Sequence, residues 1–387
     1  MDELDAAKRA GSQGDKTGLE LFSRVAQLLR RRRAGELPQD EITLSDAMRE
    51  LEEHLVAHPQ SVPALRLLAE SAQVLGEFGR AREYISRAEF LDPWNLEILI
   101  ISESLYETDA GSAHRRPGEP LRLHSDLTSG VVNADSLIEK AMGSFRLGDL
   151  DRARTLAKLA YRITPEIEHH LIDILAIGSS LDPQRTLVEF TLLEKENPRS
   201  AYLYLVLGSI CNVLGRYDEA TSWLAAGVDL SSKDPYLLAM LYNEMAYVMA
   251  KREIRLDRCV ALARAALEMF PNKKANGFIR DTLGVAYLKS KEVKKAVRNL
   301  REAVSKDPTV IPRFHLALAQ LMDGDTAGAQ TELKIIAASR PSLESPHVEE
   351  TAILDRVQAN MGRLEDLLNL GGAGDIQDVM EILAGLI

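Results

Sequence analysis

The stretch that decides the fold is TLGVAYLKSKEVKKAVRNLREAVSKDP, residues 282–308. It contains two helix-forming segments with small residues at set places, Gly284 on the first and Ala296 and Ala303 on the second. Small side chains are needed where two helices approach closely, because a bulky group would push them apart. Pro308 follows the second segment, and proline cannot continue the hydrogen-bond ladder of a helix. The stretch therefore predicts a hairpin of two packed helices.

The same spacing returns along the chain. A small residue is followed by a second one 12 positions later, by a third after 7 more, and by proline after 5 more. A period near 34 residues with small groups at fixed offsets is typical of stacked helical hairpins. The other copies, complete or partial, are Ala69, Ala81, Ala88 and Pro93; Ala141, Ala153, Ala160 and Pro165; Gly208, Ala220 and Gly227; and Ala317, Ala329, Ile336 and Pro341.

The pattern also predicts how the chain divides. Regular spacing is lost between residues 108 and 133, which are rich in glycine and proline, and a long connection of this kind suggests a functional or flexible loop. We predict an N-terminal helical segment at 1–107, with an atypical first repeat and one regular repeat, and a flexible linker or insert at 108–133. An array of about six repeats follows at 134–345, and capping helices with an amphipathic tail occupy 346–387. The predicted capping helices are Val348–Met361 and Leu364–Leu370, with a break between them.

These offsets resemble the tetratricopeptide repeat, in the form common in bacterial proteins. The resemblance covers roughly residues 43–341, or about seven or eight repeats. It implies an all-α fold, an α-solenoid in which the hairpins form a right-handed superhelix. It also implies binding of a peptide or a partner protein in the concave groove. The residues that carry it best are Thr282, Leu283, Gly284, Val285, Ala286 and Tyr287 with Ala296, Leu300, Ala303 and Pro308, and then Leu207, Gly208, Gly215, Tyr217, Ala220 and Leu224.

The resemblance also implies which residues line the groove, because in this family the first helix of each hairpin faces it. The surface obtained in this way is apolar with a few amides, which suits an apolar or helical ligand. The alternative is that many of these side chains belong to the hairpin core. The predicted groove residues are Ile138, Met142, Phe145, Tyr202, Leu205, Asn212, Met240, Asn243, Tyr247, Phe278, Asp281, Val285, Leu288, Phe314, Leu318 and Leu321.

The end of the chain supplies a candidate ligand for such a groove. A glycine-rich break at 371–374 precedes a segment whose apolar residues have helix-face spacing. We expect an amphipathic helix that docks in the chain's own groove or in that of a neighbouring copy, or else simply caps the last repeat. Its apolar residues are Ile376, Val379, Met380, Leu383 and Ile387.

Composition argues against several other classes of protein. The net charge of −11 disfavours general nucleic-acid binding, which needs a basic surface, and the four arginines at 30–33 are best interpreted as a solvated helix end. No apolar run is long enough to cross a bilayer, and no secretory signal opens the chain, so we expect a cytoplasmic protein without an integral membrane segment.

Motifs for chemistry are weak. Glu50, His54 and His58 have the spacing of one helix face, but His54 occupies a packing position, and His169 and His170 have no further strong metal ligand nearby. No phosphate loop or nucleophile motif is present. We therefore expect no metal, no cofactor and no enzyme activity.

The function predicted from sequence is that of an adaptor or scaffold, which binds a peptide or helix of a partner protein in its groove. Two alternatives stay open. The chain could assemble with itself through its groove or its tail, as a homo-oligomer, or it could be the regulatory subunit of an enzyme complex.

Overall fold

A computed structural model describes residues 16–34, 41–109, 133–166, 168–231, 233–270, 272–340, 348–370 and 372–383. Within these ranges every regular element is an α-helix and none is a strand, so the predicted all-α fold is confirmed. The chain divides into two compact units, Met1–Ile167 and Glu168–Ile387.

The first unit contains seven helices in its described part. In each of the hairpins α1/α2, α3/α4 and α6/α7 the two helices pack together, and α3 also packs against α1 and α5. Helix α5 packs against α4 and against α7, which comes later in the chain. Residues 110–132, most of the predicted linker, lie outside the described residues, and the predicted domain boundaries stay a prediction. The helices are α1 (Lys16–Arg33), α2 (Glu41–Ala57), α3 (Val62–Leu75), α4 (Phe78–Leu91), α5 (Leu96–Asp109), α6 (Ala134–Arg146) and α7 (Leu150–Ile163).

The second unit stacks six hairpins. The first helices of successive hairpins pack side by side and form a layer, which we call the inner layer: α8, α10, α12, α14, α16 and α18. The second helices from α9 to α17 form an outer layer, because each packs on its own first helix and on the first helix of the next hairpin. This is the stacking of an α-solenoid. The helices are α8 (His170–Leu181), α9 (Pro183–Glu196), α10 (Ala201–Val213), α11 (Tyr217–Leu230), α12 (Pro235–Lys251), α13 (Leu256–Met269), α14 (Gly277–Lys289), α15 (Val293–Lys306), α16 (Val310–Asp323), α17 (Thr326–Ala338), α18 (Val348–Leu370) and α19 (Ala373–Leu383).

Close approach within a hairpin explains the small residues of the repeat. A Cβ atom added to Gly208 on α10 would lie 2.5 Å from the Cγ of Leu224 on α11, and one added to Gly284 would meet Leu300 in the same way. Real Cβ atoms keep longer distances from their neighbours, so the leucine occupies the space that glycine leaves open. The contact between glycine and leucine therefore sets the distance between the two helices of each of these hairpins.

The turn between the two helices needs a left-handed residue in several repeats. Gly148, Gly215 and Gly324 have φ angles between +71° and +84°. Lys291 takes the same place with a φ of +60°, and its backbone N–H bonds to Leu288, as that of Gly215 bonds to Asn212. Glycine adopts this conformation without a steric penalty, and a lysine there keeps the turn at some cost in strain.

Helix α18 closes the stack at the C-terminal side. The sequence predicted a break after Met361, but the helix is continuous from Val348 to Leu370, and Gly362 lies inside it. A glycine in a helix costs about 1 kcal/mol relative to alanine, which the packing of the neighbouring turns outweighs here. The buried side of α18 holds Ile353, Leu354, Val357, Leu364 and Leu368, whereas Asp355, Arg356, Gln358, Arg363 and Asp366 are exposed on the opposite side.

Candidate functional site

The predicted groove residues all lie on first helices of hairpins. Three of them, Ile138, Met142 and Phe145, belong to α6 in the first unit, and the other thirteen belong to the inner layer of the second unit. Because α10, α12, α14 and α16 pack side by side, residues on their free side share one surface. Their part in binding stays a prediction, and burial separates them into two groups.

The first group is half-buried, so these side chains can touch both the core and a partner. Most are large and apolar or aromatic, the composition that favours protein interfaces. The members of this group are Ile138, Met142, Tyr202, Met240, Tyr247 and Phe278.

The second group is buried, and in the structure its side chains contact the rest of the protein. Phe314 is 0 % exposed and Leu318 is 2 % exposed, because both belong to the hydrophobic core that α18 and α19 complete. These positions of α16 are therefore covered by the chain itself. The members of this group are Phe145, Leu205, Asn212, Asn243, Asp281, Val285, Leu288, Phe314, Leu318 and Leu321.

Two amides on adjacent helices of the inner layer, Asn212 on α10 and Asn243 on α12, each keep an unused acceptor. The side-chain amide nitrogen Nδ2 of Asn212 donates to Oε1 of Glu244 at 3.1 Å, which links α10 to α12. The carbonyl oxygen Oδ1 of Asn212 and that of Asn243 are both buried, and no described group donates a hydrogen bond to either. A buried acceptor without a donor costs about 1–3 kcal/mol, so an amide that rotates toward the surface and accepts from an N–H group of a ligand would recover that free energy.

The carboxylate of Asp281 is already engaged inside the protein. Its Oδ1 and Oδ2 lie 2.8 and 2.9 Å from Nδ1 of His315 on α16, and both residues are buried. An ionised carboxylate only accepts hydrogen bonds, so Nδ1 carries the proton of this contact. Asp281 is among the residues predicted from sequence, whereas His315 and Glu244 are not. The available signal was their distance along the chain, 34 and 32 residues from their partners, which is one repeat period.

Aromatic side chains lie at the beginning of α12 and α14. The rings of Phe270 and Phe278 have centroids 5.3 Å apart in an edge-on arrangement, and Tyr236 stacks on Phe270 at 5.4 Å. Tyr202 on α10 is half-buried, and burial together with the nearby Asp234 carboxylate raises its pKa to about 12. Its phenol therefore stays neutral at physiological pH and keeps its O–H as a hydrogen-bond donor.

The amphipathic tail docks on its own chain. Residues Val379 and Leu383 of α19 are buried in the core that contains Phe314 and Leu318, and α19 packs against α18 and α16. This packing agrees both with docking in the chain's own groove and with capping of the last repeat, and docking on a neighbouring copy stays a prediction. Ile387 lies outside the described residues.

The first unit contains a cleft that is more strongly charged than the inner layer of the second unit. A cleft of about 200 Å³ between α1, α3 and α5 has an apolar floor and a charged rim. There Arg33 donates to Glu70 at 2.7 Å, and Arg66 pairs with Glu70 at 2.9 Å and with Glu97 at 2.7 Å. The last arginine of the basic cluster is thus held by the protein's own carboxylate.

Sites for metals or reactive thiols are not evident in the described part of the chain. Its residues contain no group of three His, Cys, Asp or Glu side chains placed to hold a metal ion. The thiols of Cys211 and Cys259 are buried, and this burial raises the pKa of Cys211 to about 11 and that of Cys259 to about 12. None of the described helices has both the length and the apolar composition that spanning a membrane requires.

A profile described as tetratricopeptide repeat matches residues 190–235, which include the whole α10/α11 hairpin. No curated protein matches the sequence at a significant level.

Solved structures of other proteins resemble it at low identity. A thermophilic TPR protein of Thermus thermophilus is 21% identical, with 49% of this chain and 99% of that chain covered and a TM-score of 0.39. A tetratricopeptide repeat protein of Parabacteroides merdae is 16% identical, with 78% and 99% covered and a TM-score of 0.37. The APC/C hetero-tetramer Cut9–Hcn1 is 17% identical, with 81% and 59% covered and a TM-score of 0.45.

The profile match covers one hairpin, and the same hairpin geometry recurs at the other small-residue positions of the second unit. Repeats of this kind serve in general as scaffolds for interactions between proteins. Residues 190–235 match a tetratricopeptide repeat, and the other hairpins of the second unit stack with the same arrangement of helices.

Proposed function

We propose that the chain is an adaptor that binds an extended segment of a partner protein on the inner layer of the second unit, across α10, α12 and α14. The observation that carries this proposal is the pair of buried, unused acceptors on adjacent helices, Oδ1 of Asn212 and Oδ1 of Asn243. An adaptor acts by binding, so no catalytic group is required, and we place it in the cytoplasm with protein partners.

An extended peptide supplies the matching donors. Its backbone N–H groups on one edge recur every second residue, about 7 Å apart. Helices that pack side by side have axes roughly 8–10 Å apart. One peptide crossing α10 and α12 can therefore donate to both amides in turn, whereas a helical ligand has its own N–H groups already bonded.

The rest of the surface suits the side chains of such a segment. Met240 and Phe278 are half-buried and belong to a partly buried apolar cluster, and Tyr202 adds a neutral hydroxyl. Side chains alternate on the two sides of an extended chain, so every second side chain can contact these residues while the backbone bonds to the amides. The predicted ligand is a peptide with apolar or aromatic residues at alternate positions.

Peptides selected from a random library against the full chain provide the test. The affinity of a selected peptide is measured by calorimetry for wild type, for Asn243→Leu and for the control Asn299→Leu, which makes the same change on the outer-layer helix α15. Losing one hydrogen bond of about 0.5–1.5 kcal/mol weakens binding by roughly 2–12-fold, and only Asn243→Leu is expected to show this loss.

A peptide in which one backbone amide is replaced by an ester lacks a single N–H donor. If that donor binds Asn243, the ester weakens binding to wild type and has no further effect on Asn243→Leu. Equal affinity of the selected peptides for wild type and Asn243→Leu contradicts the proposal, as does a set of selected ligands that bind as helices.

A further inference from the structure

The position of α19 breaks the packing rule of the other second helices. Helices α11, α13, α15 and α17 each contact their own first helix and the first helix of the next hairpin. Among the described helices, α19 instead packs on its own first helix, α18, and on α16, the first helix of the preceding hairpin. The pair α16 and α18 already has α17 on its outer-layer side, so α19 lies on the other side, which is the groove side.

An apolar stripe of α19 fills this place. Val379 and Leu383 are 0 % and 1 % exposed, and Ile376, Met380 and Ile382 are partly buried against the same core. Residues 376, 379, 380 and 383 have the i, i+3, i+4, i+7 spacing of one helix face. The same hydrophobic core contains Phe314 and Leu318 of α16, two positions that the sequence predicted as groove surface.

The apolar stripe is the main attachment of α19. The helix has 11 residues, a length at which an isolated helix is unstable in water, and two glycines, Gly371 and Gly372, join it to α18. One polar contact between α19 and α18 is a long hydrogen bond, in which Nη1 of Arg356 donates to the carbonyl oxygen of Ile382 at 3.4 Å. By contrast α18 has 23 residues and five buried apolar side chains.

We propose that the surface of α16 and α18 beneath α19 is a binding site for an amphipathic helix of a partner protein, and that α19 occupies it until that helix displaces it. The partner helix carries apolar residues at i, i+3, i+4 and i+7, as α19 does. This site uses neither Asn212 nor Asn243, so it is independent of the peptide site proposed above.

The probe is a synthetic fluorescent peptide with the sequence of residues 372–387. In the full-length wild-type protein the site is occupied by α19, so the peptide binds weakly. The full-length double variant Val379→Asp, Leu383→Asp cannot bury two charges and releases α19, so it binds the peptide at least about tenfold more tightly. The control variant Gln377→Ala, Asp378→Ala changes two exposed residues of α19 and keeps the wild-type affinity. A peptide with both aspartates must not bind either protein.

Hydrogen exchange on the wild-type protein gives a second readout if the double variant fails to fold. The amides of α19 are expected to exchange at least about tenfold faster than those of Val357–Leu364 in α18, and excess peptide is expected to speed them further. Equal protection of α19 and α18, with no effect of excess peptide, would mean that α19 is a fixed cap and would overturn the proposal. A dimer that forms by exchange of α19, detected by light scattering, would overturn the assignment to a foreign partner.

Discussion

The ammonium group of Lys158 on α7 lies 2.9 Å from Oε1 of Glu89 on α4, and the two residues are 69 positions apart in the chain. Both are buried, and Lys158 is 0 % exposed. The Ser102 hydroxyl donates to the other carboxylate oxygen of Glu89 at 3.4 Å, and the Lys158 ammonium lies 6.0 Å from the centre of the Trp94 ring. The pair joins helices on both sides of residues 110–132 within the first unit.

Removing one partner of this pair is expected to destabilise the first unit. Lys158→Met leaves the Glu89 carboxylate buried without its cation, which costs about 3–5 kcal/mol, whereas adding Glu89→Gln removes the buried charge and recovers much of the loss. Unfolding in urea is followed by Trp94 fluorescence in a Trp223→Phe background, so that the signal comes from the first unit alone. The control Arg49→Met breaks an exposed pair with Asp46 in the same unit and is expected to change nothing measurable. If Lys158→Met and Arg49→Met behave alike, the buried pair does not stabilise the fold.

The glycine–leucine contact inside the hairpins predicts a sharp difference between two glycines. Gly208→Ala places a Cβ against Leu224 and is expected to destabilise the second unit by about 1–3 kcal/mol. Gly143→Ala in α6 meets no atom within 4 Å and is expected to stabilise its helix by about 0.5–1 kcal/mol. Trp223 and Trp94 report the two units separately in urea unfolding. Equal effects of the two substitutions would contradict the close approach of α10 and α11.

The buried thiols predict slow labelling and a pH-dependent stability. Burial raises the pKa of Cys259 from 9.0 to about 12, so at pH 8 almost no thiolate is present to react with iodoacetamide in the native protein. Because the pKa in the folded state is the higher one, the thiol costs no stability below about pH 9, and stability is lost as the pH rises from there toward 12. Mass spectrometry of alkylated protein, native and in concentrated urea, measures the difference. Rapid labelling of the native protein would show that Cys259 is accessible.

The fold could be predicted from the sequence because small residues recur at fixed places in most repeats. Gly284 and Ala296 mark close helix contacts, and Lys291 could be placed in the turn by its offset alone, without a glycine. The break predicted near Gly362 is wrong, because composition indicates that a glycine weakens a helix but not that neighbouring turns pack well enough to keep it.

The candidate surface was harder to predict because a repeat pattern gives the helix face and not what covers it. Phe314 and Met240 hold similar places on their helices, yet Phe314 is buried under α18 and α19 while Met240 is half-buried. The separation of Asp281 and His315 by one repeat period indicates that they lie on adjacent first helices, but side-chain geometry decides whether they touch. Burial of a residue by a later segment of the chain depends on the tertiary structure, so the repeat pattern alone cannot predict it.

The polar outer side of α18 has a consequence for how copies of this protein can meet. A head-to-tail contact at this end would have to take Asp355, Arg363 and Asp366 out of water, and charged groups without partners make such a contact unfavourable. Open-ended fibres, in which each molecule extends the next one's column of helices, are therefore disfavoured at the C-terminal end.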